Sequence, residues 1–300
     1  MCRLLAGVSW SRRGSTLLGE LALLVAEAAQ GDPYLRAVTG GEDRHCHGYG
    51  YVLLARGPTG AWRISYERYD ALSENVDEEE ACRRNLEAAK GAAEKLHGLL
   101  RAAEEAVLVF HVRRAGRREP RGSLNAHPYS VTAATPRGAA VLYLAHNGGL
   151  RKEELASALG VAAEAYTDSN LLALWIAKRV EEGVEPPVAL AQGYRYAKSG
   201  YDVALLVVED RLRYASPRLL YAAGMAPGLD EARRRYYAPV AFEAQGAVGF
   251  TSSTILDLAR ERLGDADAWM RLLGGDEWGV YEASRAGLRR LHGLGSRLTQ

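Results

Sequence analysis

The chain is poor in the residues that usually announce a special class. Among 300 residues it has three cysteines, three methionines and three phenylalanines, and lysine is scarce beside arginine. Cys2, Cys46 and Cys82 are odd in number and widely spaced, which argues against a disulfide framework and for a reducing compartment. The 38 basic and 37 acidic residues leave a formal charge of +1, so no overall field draws the protein to nucleic acid or to an anionic membrane. No run of about 18 apolar residues occurs, so no membrane span is expected. The start, Met1-Cys2-Arg3-Leu4-Leu5, lacks a charged leader followed by an apolar stretch and a cleavage site. The functional chain is therefore expected to begin at or next to residue 1, in the cytoplasm. Glycine-rich phosphate loops are absent too.

What remains is an ordinary globular mixture, 48% hydrophobic and 25% charged, in a chain long enough to build a core without disulfides or metal. Arg3 to Trp10 reads as a strand that starts almost at the terminus. Ser15 to Gln30 has helical spacing and stops at Gly31-Asp32-Pro33, which reads as a turn. Gly48 to Arg56 and Trp62 to Arg68 flank Gly57-Pro58-Thr59-Gly60 as a hairpin. Asp77 to Glu104 predicts an amphipathic helix, with Gly91 and Gly98 as places where it can break. Ala106 to Arg113 and Ala139 to Ala145 read as buried strands. Asp168 to Glu182 reads as a helix capped near Thr167, and Pro187 to Lys198 as another. Val203 to Val208 and Arg211 to Tyr214 suggest a second hairpin. Ala247 to Phe250 is a short apolar run, Ala266 to Leu273 reads as a helix, and Gly279 to Ala283 as a strand. Hairpins with interspersed helices favour antiparallel sheets covered by helices.

Four segments can carry chemistry, and each has a plainer reading. Cys2 becomes the chain terminus if Met1 is removed. Its own α-amine, with an ordinary pKa of about 7.7–8.0, could then take the thiol proton. The plainer reading is a small buried hydrophobe. His146-Asn147-Gly148-Gly149 ends a buried strand, where an asparagine amide and a glycine N–H can converge on an oxyanion; Asn-Gly is also a common tight turn. Arg113 ends another strand and can grip a carboxylate with two parallel hydrogen bonds, or simply face solvent. Asp168 can pair with an ammonium or serve the helix that begins beside it. His127, in Asn125-Ala126-His127-Pro128-Tyr129, reads as structural. His45-Cys46-His47 does not match zinc spacing. Thr251-Ser252-Ser253-Thr254 is either a loop lining a site or a cap.

The order of these segments resembles class II glutamine amidotransferases of the N-terminal-nucleophile hydrolase superfamily, and within it the compact stand-alone members. The carriers are Met1-Cys2-Arg3-Leu4-Leu5, His111-Val112-Arg113-Arg114-Ala115, Asn125-Ala126-His127-Pro128, Ala145-His146-Asn147-Gly148-Gly149 and Thr167-Asp168-Ser169, with Thr251-Ser252-Ser253 and Leu256 similar to a late serine-containing segment. The resemblance covers about residues 2–255. It implies an α+β fold, a four-layer αββα sandwich of two antiparallel sheets, in a single domain 1–300 whose segment 256–300 completes or covers the sandwich. It implies Cys2 as nucleophile, with Asn147 and the Gly148 N–H as the oxyanion hole. Arg113 is implied for the α-carboxylate and Asp168 for the α-ammonium of a glutamyl group, with His146 and Gly149 beside the substrate and His127 and Ser252 lining the pocket.

No metal or organic cofactor is implied. The sequence departs from the family where Arg114 and Gly116, on either side of the retained Ala115, replace an aromatic residue and a threonine, and where Asn170 replaces an acidic residue. Both changes alter the glutamyl pocket and keep open a γ-glutamyl substrate other than free glutamine. The expected reaction is attack of the thiol on the γ-glutamyl amide, a thioester, then glutamate and ammonia. The expected partner is the small-molecule substrate, with or without a separate synthase subunit that receives the ammonia. A stand-alone hydrolase of a γ-glutamyl conjugate and a silent relative that only binds a ligand or partner are the alternatives.

Overall fold

Apolar residues of both parities fill the central strands, so these strands must be buried on both faces. The computed structural model describes residues 2–58, 60–116, 119–135, 138–209 and 217–294. Its strands form two antiparallel sheets. The first has seven strands in the order β11-β9-β10-β1-β4-β2-β3. These are β1 (Cys2–Ser9), β2 (Tyr49–Arg56), β3 (Trp62–Tyr69), β4 (Glu105–Arg113), β9 (Pro239–Ala244), β10 (Ala247–Ser252) and β11 (Met270–Leu272). The second has six in the order β13-β12-β8-β7-β6-β5. These are β5 (Tyr129–Thr135), β6 (Gly138–Leu150), β7 (Ala197–Glu209), β8 (Arg218–Ala223), β12 (Gly279–Ser284) and β13 (Gly287–Gly293).

Alternation sorts the side chains into three cores. Leu4, Ala6 and Val8 of β1, Val107 and Val109 of β4, Tyr143 and Ala145 of β6, and Ala204 and Leu206 of β7 form the layer between the sheets. The opposite parity of β1 and β4, with Leu5, Leu108 and Phe110, packs under α1 (Arg12–Ala28), α3 (Glu78–Arg101) and α8 (Ser253–Arg262). Leu142 and Leu144 of β6 and Val203 and Leu205 of β7 pack under α4 (Lys152–Leu159), α5 (Asp168–Glu181) and α6 (Pro186–Gly193). The described residues thus stack as helices, sheet, sheet and helices. Each fully buried Leu or Phe contributes about 1.5–3 kcal/mol.

Several expectations need correction. α3 runs unbroken through Gly91 and Gly98, because Ala89, Ala92, Ala93, Leu96 and Leu100 hold one face against the core. Ala266 to Leu273 is not a helix but a short 3-10 turn followed by β11, which pairs with β9. The helix expected over Pro187 to Lys198 ends at Gly193, and β7 begins at Ala197. Asp32-Pro33 starts α2 (Pro33–Thr39) instead of forming a turn, with Asp32 as its N-cap. Arg211 to Tyr214 lies outside the described residues, and β8 is the strand that pairs with β7. The described part of 256–300 supplies α8, an edge of the first sheet and two strands of the second.

The cysteines also depart from expectation: Cys46 and Cys82 form a disulfide, with Cα atoms 4.7 Å apart, and Cys2 alone is a free thiol. A separation of 36 residues hid this, because only the tertiary fold brings the loop before β2 onto the N-terminal part of α3. Among the described residues, no helix is long and apolar enough to cross a membrane.

A buried ion cluster pins β1. Arg3 Nε donates to Asp32 Oδ2 at 2.5 Å, His45 Nε2 meets the same oxygen at 2.7 Å, and Thr254 donates to Oδ1 at 2.9 Å. Both charged side chains are fully buried. Burial raises the Asp32 carboxyl, but Arg3 and His45 overcome this and hold it well below its usual range. Burial pushes His45 down to about 4. Asp32 Oδ1 also accepts from Tyr34 N and Leu35 N, so the cap and the ion pair share one carboxylate. Asp32→Asn keeps a competent cap and leaves Arg3 buried without its counter-charge. Equilibrium urea unfolding should show a loss of about 3–5 kcal/mol; a loss below about 1 kcal/mol would mean that the ion pair is dispensable.

Candidate active site

The layer between the sheets is apolar along most of its length and polar at one end. β1 and β4 pair with Cys2 opposite Arg113 and Leu4 opposite His111. The parity that sends Leu4 and Ala6 between the sheets therefore sends Cys2 there, and that of Val107 and Val109 sends His111 and Arg113. Across the gap, β6 and β7 pair with Asn147 opposite Asp202, in the parity of Ala145 and Ala204. A cleft of about 440 Å³ opens at this end, lined by Cys2, Arg113, His127, His146, Gly148, Gly149 and Asp168, among others.

Cys2 is tightly held. Its backbone N donates to Asn147 Oδ1 at 3.0 Å, and its carbonyl accepts from the Tyr236 hydroxyl at 3.1 Å. Tyr236 lies under Arg3, whose guanidinium carbon is 4.2 Å from the ring centroid, so the ion cluster supports the thiol's backbone. Sγ is 3.9 Å from the Arg114 carbonyl oxygen. Burial pushes the thiol up, but the positive charge of the chain terminus and the influence of His111 bring it down to about 5.

One flank of the cleft is lined by charged side chains, among them Arg113, Glu119, Lys152 and Asp168. Arg113 Nη2 donates to the Pro120 carbonyl at 2.9 Å, whereas the buried Nη1 has no hydrogen-bond partner among the described residues. An unsatisfied buried donor costs about 1–3 kcal/mol, and a bound anion would remove that cost. Asp168 sits in the first turn of α5, and Thr167 is the N-cap. Asp168 Oδ2 accepts from Leu150 N at 2.8 Å, and Oδ1 accepts from Ser169 Oγ at 3.0 Å. Glu119 completes this flank. Burial and the nearby Asp168 raise its carboxyl, and Lys152 lies 3.6 Å away.

The glycines fit the close quarters. A Cβ on Gly148 would meet the Gly200 carbonyl oxygen at 1.8 Å, so β6 passes β7 here only without a side chain. His146 is fully buried, with Nδ1 3.0 Å from Ser169 Oγ and Nε2 3.2 Å from the Gly200 oxygen. Burial lowers it to about 4. His127 is buried too, neither ring nitrogen has a hydrogen-bond partner among the described residues, and its ring lies at 50° to that of His111 with centroids 4.2 Å apart. Burial drives His127 well below its ordinary value.

The fold thus brings Cys2, Arg113, His127, His146, Gly148, Gly149 and Asp168 to one cleft. Two expected residues behave otherwise. Asn147 adjoins Cys2, but its Nδ2 points to Asp202 Oδ2 at 3.5 Å and it is not part of the cleft wall. Ser252 does not line the cleft: its Oγ accepts from Leu4 N at 3.0 Å and braces β1 against β10. Neighbours that the sequence did not single out are His111, Glu119, Asp202 and Tyr237. Burial raises the Asp202 carboxyl well above its ordinary range. For His111 a signal existed, since it stands two residues before Arg113 and shares its strand face. Among the described residues, no cluster of three His, Cys, Asp or Glu side chains could hold a metal ion.

The thiol's environment has a measurable consequence. In the chain that retains Met1, the rate of iodoacetamide alkylation of Cys2 should rise through about pH 5 and level off by neutrality. An inflection near pH 8.5, the value of a free cysteine, would contradict the electrostatics described. Comparison with models of known families finds no match to this chain, and comparison with curated proteins finds no match either.

Proposed function

We propose that the protein is a γ-glutamyl amide hydrolase of the class II glutamine amidotransferase kind, with an N-terminal-nucleophile hydrolase fold and Cys2 as nucleophile. One observation carries the reading. The free thiol of Cys2 shares a cleft with a carboxylate and with an arginine that has, among the described residues, a buried N–H without a partner. That is the set needed to hold a glutamyl group by its two charged ends and attack its side chain.

In this reading Met1 is removed and the Cys2 α-amine takes the place of the N–H now bound to Asn147 Oδ1. The amine holds the proton that the thiol has given up, so the attacking group is the thiolate. The Sγ–Cδ bond forms as the γ-carbonyl becomes an oxyanion, with the Gly148 N–H as a donor and Asn147 Nδ2 joining it on rotation. Each such donor is worth about 3 kcal/mol. The C–N bond then breaks, the amine passes its proton to the leaving nitrogen, and a γ-glutamyl thioester remains. Water adds to the thioester and releases glutamate and the thiol. Arg113 takes the α-carboxylate and Asp168 the α-ammonium.

The departing ammonia can go to water or to a separate synthase subunit. A cytoplasmic location belongs to the same reading, yet a disulfide such as Cys46–Cys82 is uncommon there outside hyperthermophiles. The test is turnover of glutamine and a panel of γ-glutamyl compounds by wild type and Cys2→Ala, with 6-diazo-5-oxo-norleucine as a probe. Wild type should release glutamate and take one adduct on Cys2, and Cys2→Ala should do neither. Retained Met1 with no adduct and no turnover would favour a silent binding protein.

A further inference from the structure

The cleft continues past the thiol, and the far side differs in character from the near side. The strand order is β10-β1-β4 in one sheet and β7-β6-β5 in the other. Arg113 closes β4, and the buried His127 just before β5 packs against His111 of β4 with the two rings tilted. Thr167, next to Asp168, bonds the Tyr129 hydroxyl of β5 at 2.6 Å. These residues form the β4–β5 flank. Cys2 on β1 and Gly148 on β6 lie in the middle. The opposite flank belongs to β7 and to α7 (Glu231–Tyr237), which supply Lys198, Ser199, Arg233 and Tyr237 to the cleft wall. Tyr237 packs beside Gly200, where a Cβ would meet its ring at 2.4 Å.

A glutamyl group held by Arg113 and Asp168 with its γ-carbonyl at Cys2 directs its leaving group toward the β7–α7 flank. Ammonia needs no cation there. Arg233 is paired with Asp230. Lys198 is exposed, lines the cleft and has no ion-pair partner among the described residues. The cleft volume of about 440 Å³ lies within the range of about 300–1,000 Å³ usual for small-molecule sites.

We infer that the leaving group of the natural substrate carries a carboxylate, so that the substrate class is a γ-glutamyl amino acid and Lys198 is a specificity residue for its free carboxylate. The inference rests on the γ-glutamyl hydrolase reading above. The bond broken is the amide between the glutamyl Cδ and the amino acid nitrogen. That nitrogen leaves with the proton first taken from the thiol, and water releases glutamate from the thioester.

The test compares γ-glutamylglycine with γ-glutamylglycine amide, which differ only in the distal carboxylate. Wild type should favour the acid in kcat/KM by about ten-fold or more, the scale of one charge-assisted hydrogen bond. Lys198→Arg should keep the preference, Lys198→Ala should bring the ratio near one, and Lys198→Glu should invert it. A wild-type ratio near one, or a preference that survives in Lys198→Ala and Lys198→Glu, overturns the inference alone, provided that glutamine or either dipeptide is turned over. No turnover of any of the three, with no labelling of Cys2 by 6-diazo-5-oxo-norleucine, overturns the hydrolase reading and this inference with it.

Discussion

The ion pair between Arg3 and Asp32 is the contact on which the arrangement depends. A chain terminus usually frays, because its last residues give up conformational entropy for few contacts. Here the first described residues are an interior strand of a seven-stranded sheet, between β4 and β10. Backbone pairing fixes the register, and the charge pair one residue past Cys2 ties that register to α2 and, through Thr254, to α8. Burying two charges is expensive, and a salt bridge of this kind is weak evidence of stability in itself. Its effect is to specify position: Arg3 bonds the Tyr236 carbonyl and lies over the Tyr236 ring, and the Tyr236 hydroxyl bonds the Cys2 carbonyl.

The same burial sets the chemistry of the site. The polar end of the inter-sheet layer is screened from water, so each group there takes the charge state its neighbours favour. Histidines 127 and 146 are driven toward the neutral form and Asp202 toward the protonated form, in each case first by desolvation. Cys2 moves the other way, because positive charge near it outweighs its burial. The site thus sets a thiol lowered by nearby positive charge beside two neutral imidazoles and a guanidinium N–H that has no hydrogen-bond partner among the described residues.

Much of the frame was legible in the sequence. β1, β4 and β6 stood out as apolar runs, and α1, α3 and α5 as periodic segments with good ends. What hid was whatever depends on register or on distant partners. Asp202 lies on a different strand from Asn147, and only strand pairing shows that the two are neighbours; His111, two residues before Arg113 on one strand, could be placed on its face by alternation alone. Asp32-Pro33 carries both a turn signal and a helix-start signal, and the buried Arg3 decided for the helix. Ser252 belongs to a hydroxyl-rich segment that could have lined the cleft; its neighbour turned out to be Leu4 N. The Cys46–Cys82 bridge could not be read from spacing at all, since it needs the loop before β2 and the start of α3 in one place. The orientation of the Asn147 amide depends on which of its atoms meets Cys2 N and which meets Asp202.

The central claim is that the thiol at the buried start of β1 becomes acylated. Intact-mass and peptide mass spectrometry of the wild-type protein, acid-quenched during turnover of a γ-glutamyl compound, tests it directly. The account requires a chain that begins at Cys2, with one glutamyl group attached to that residue and removable by hydroxylamine. An unmodified Cys2 in an enzyme that is turning over, or an acyl group found on another residue, would contradict it.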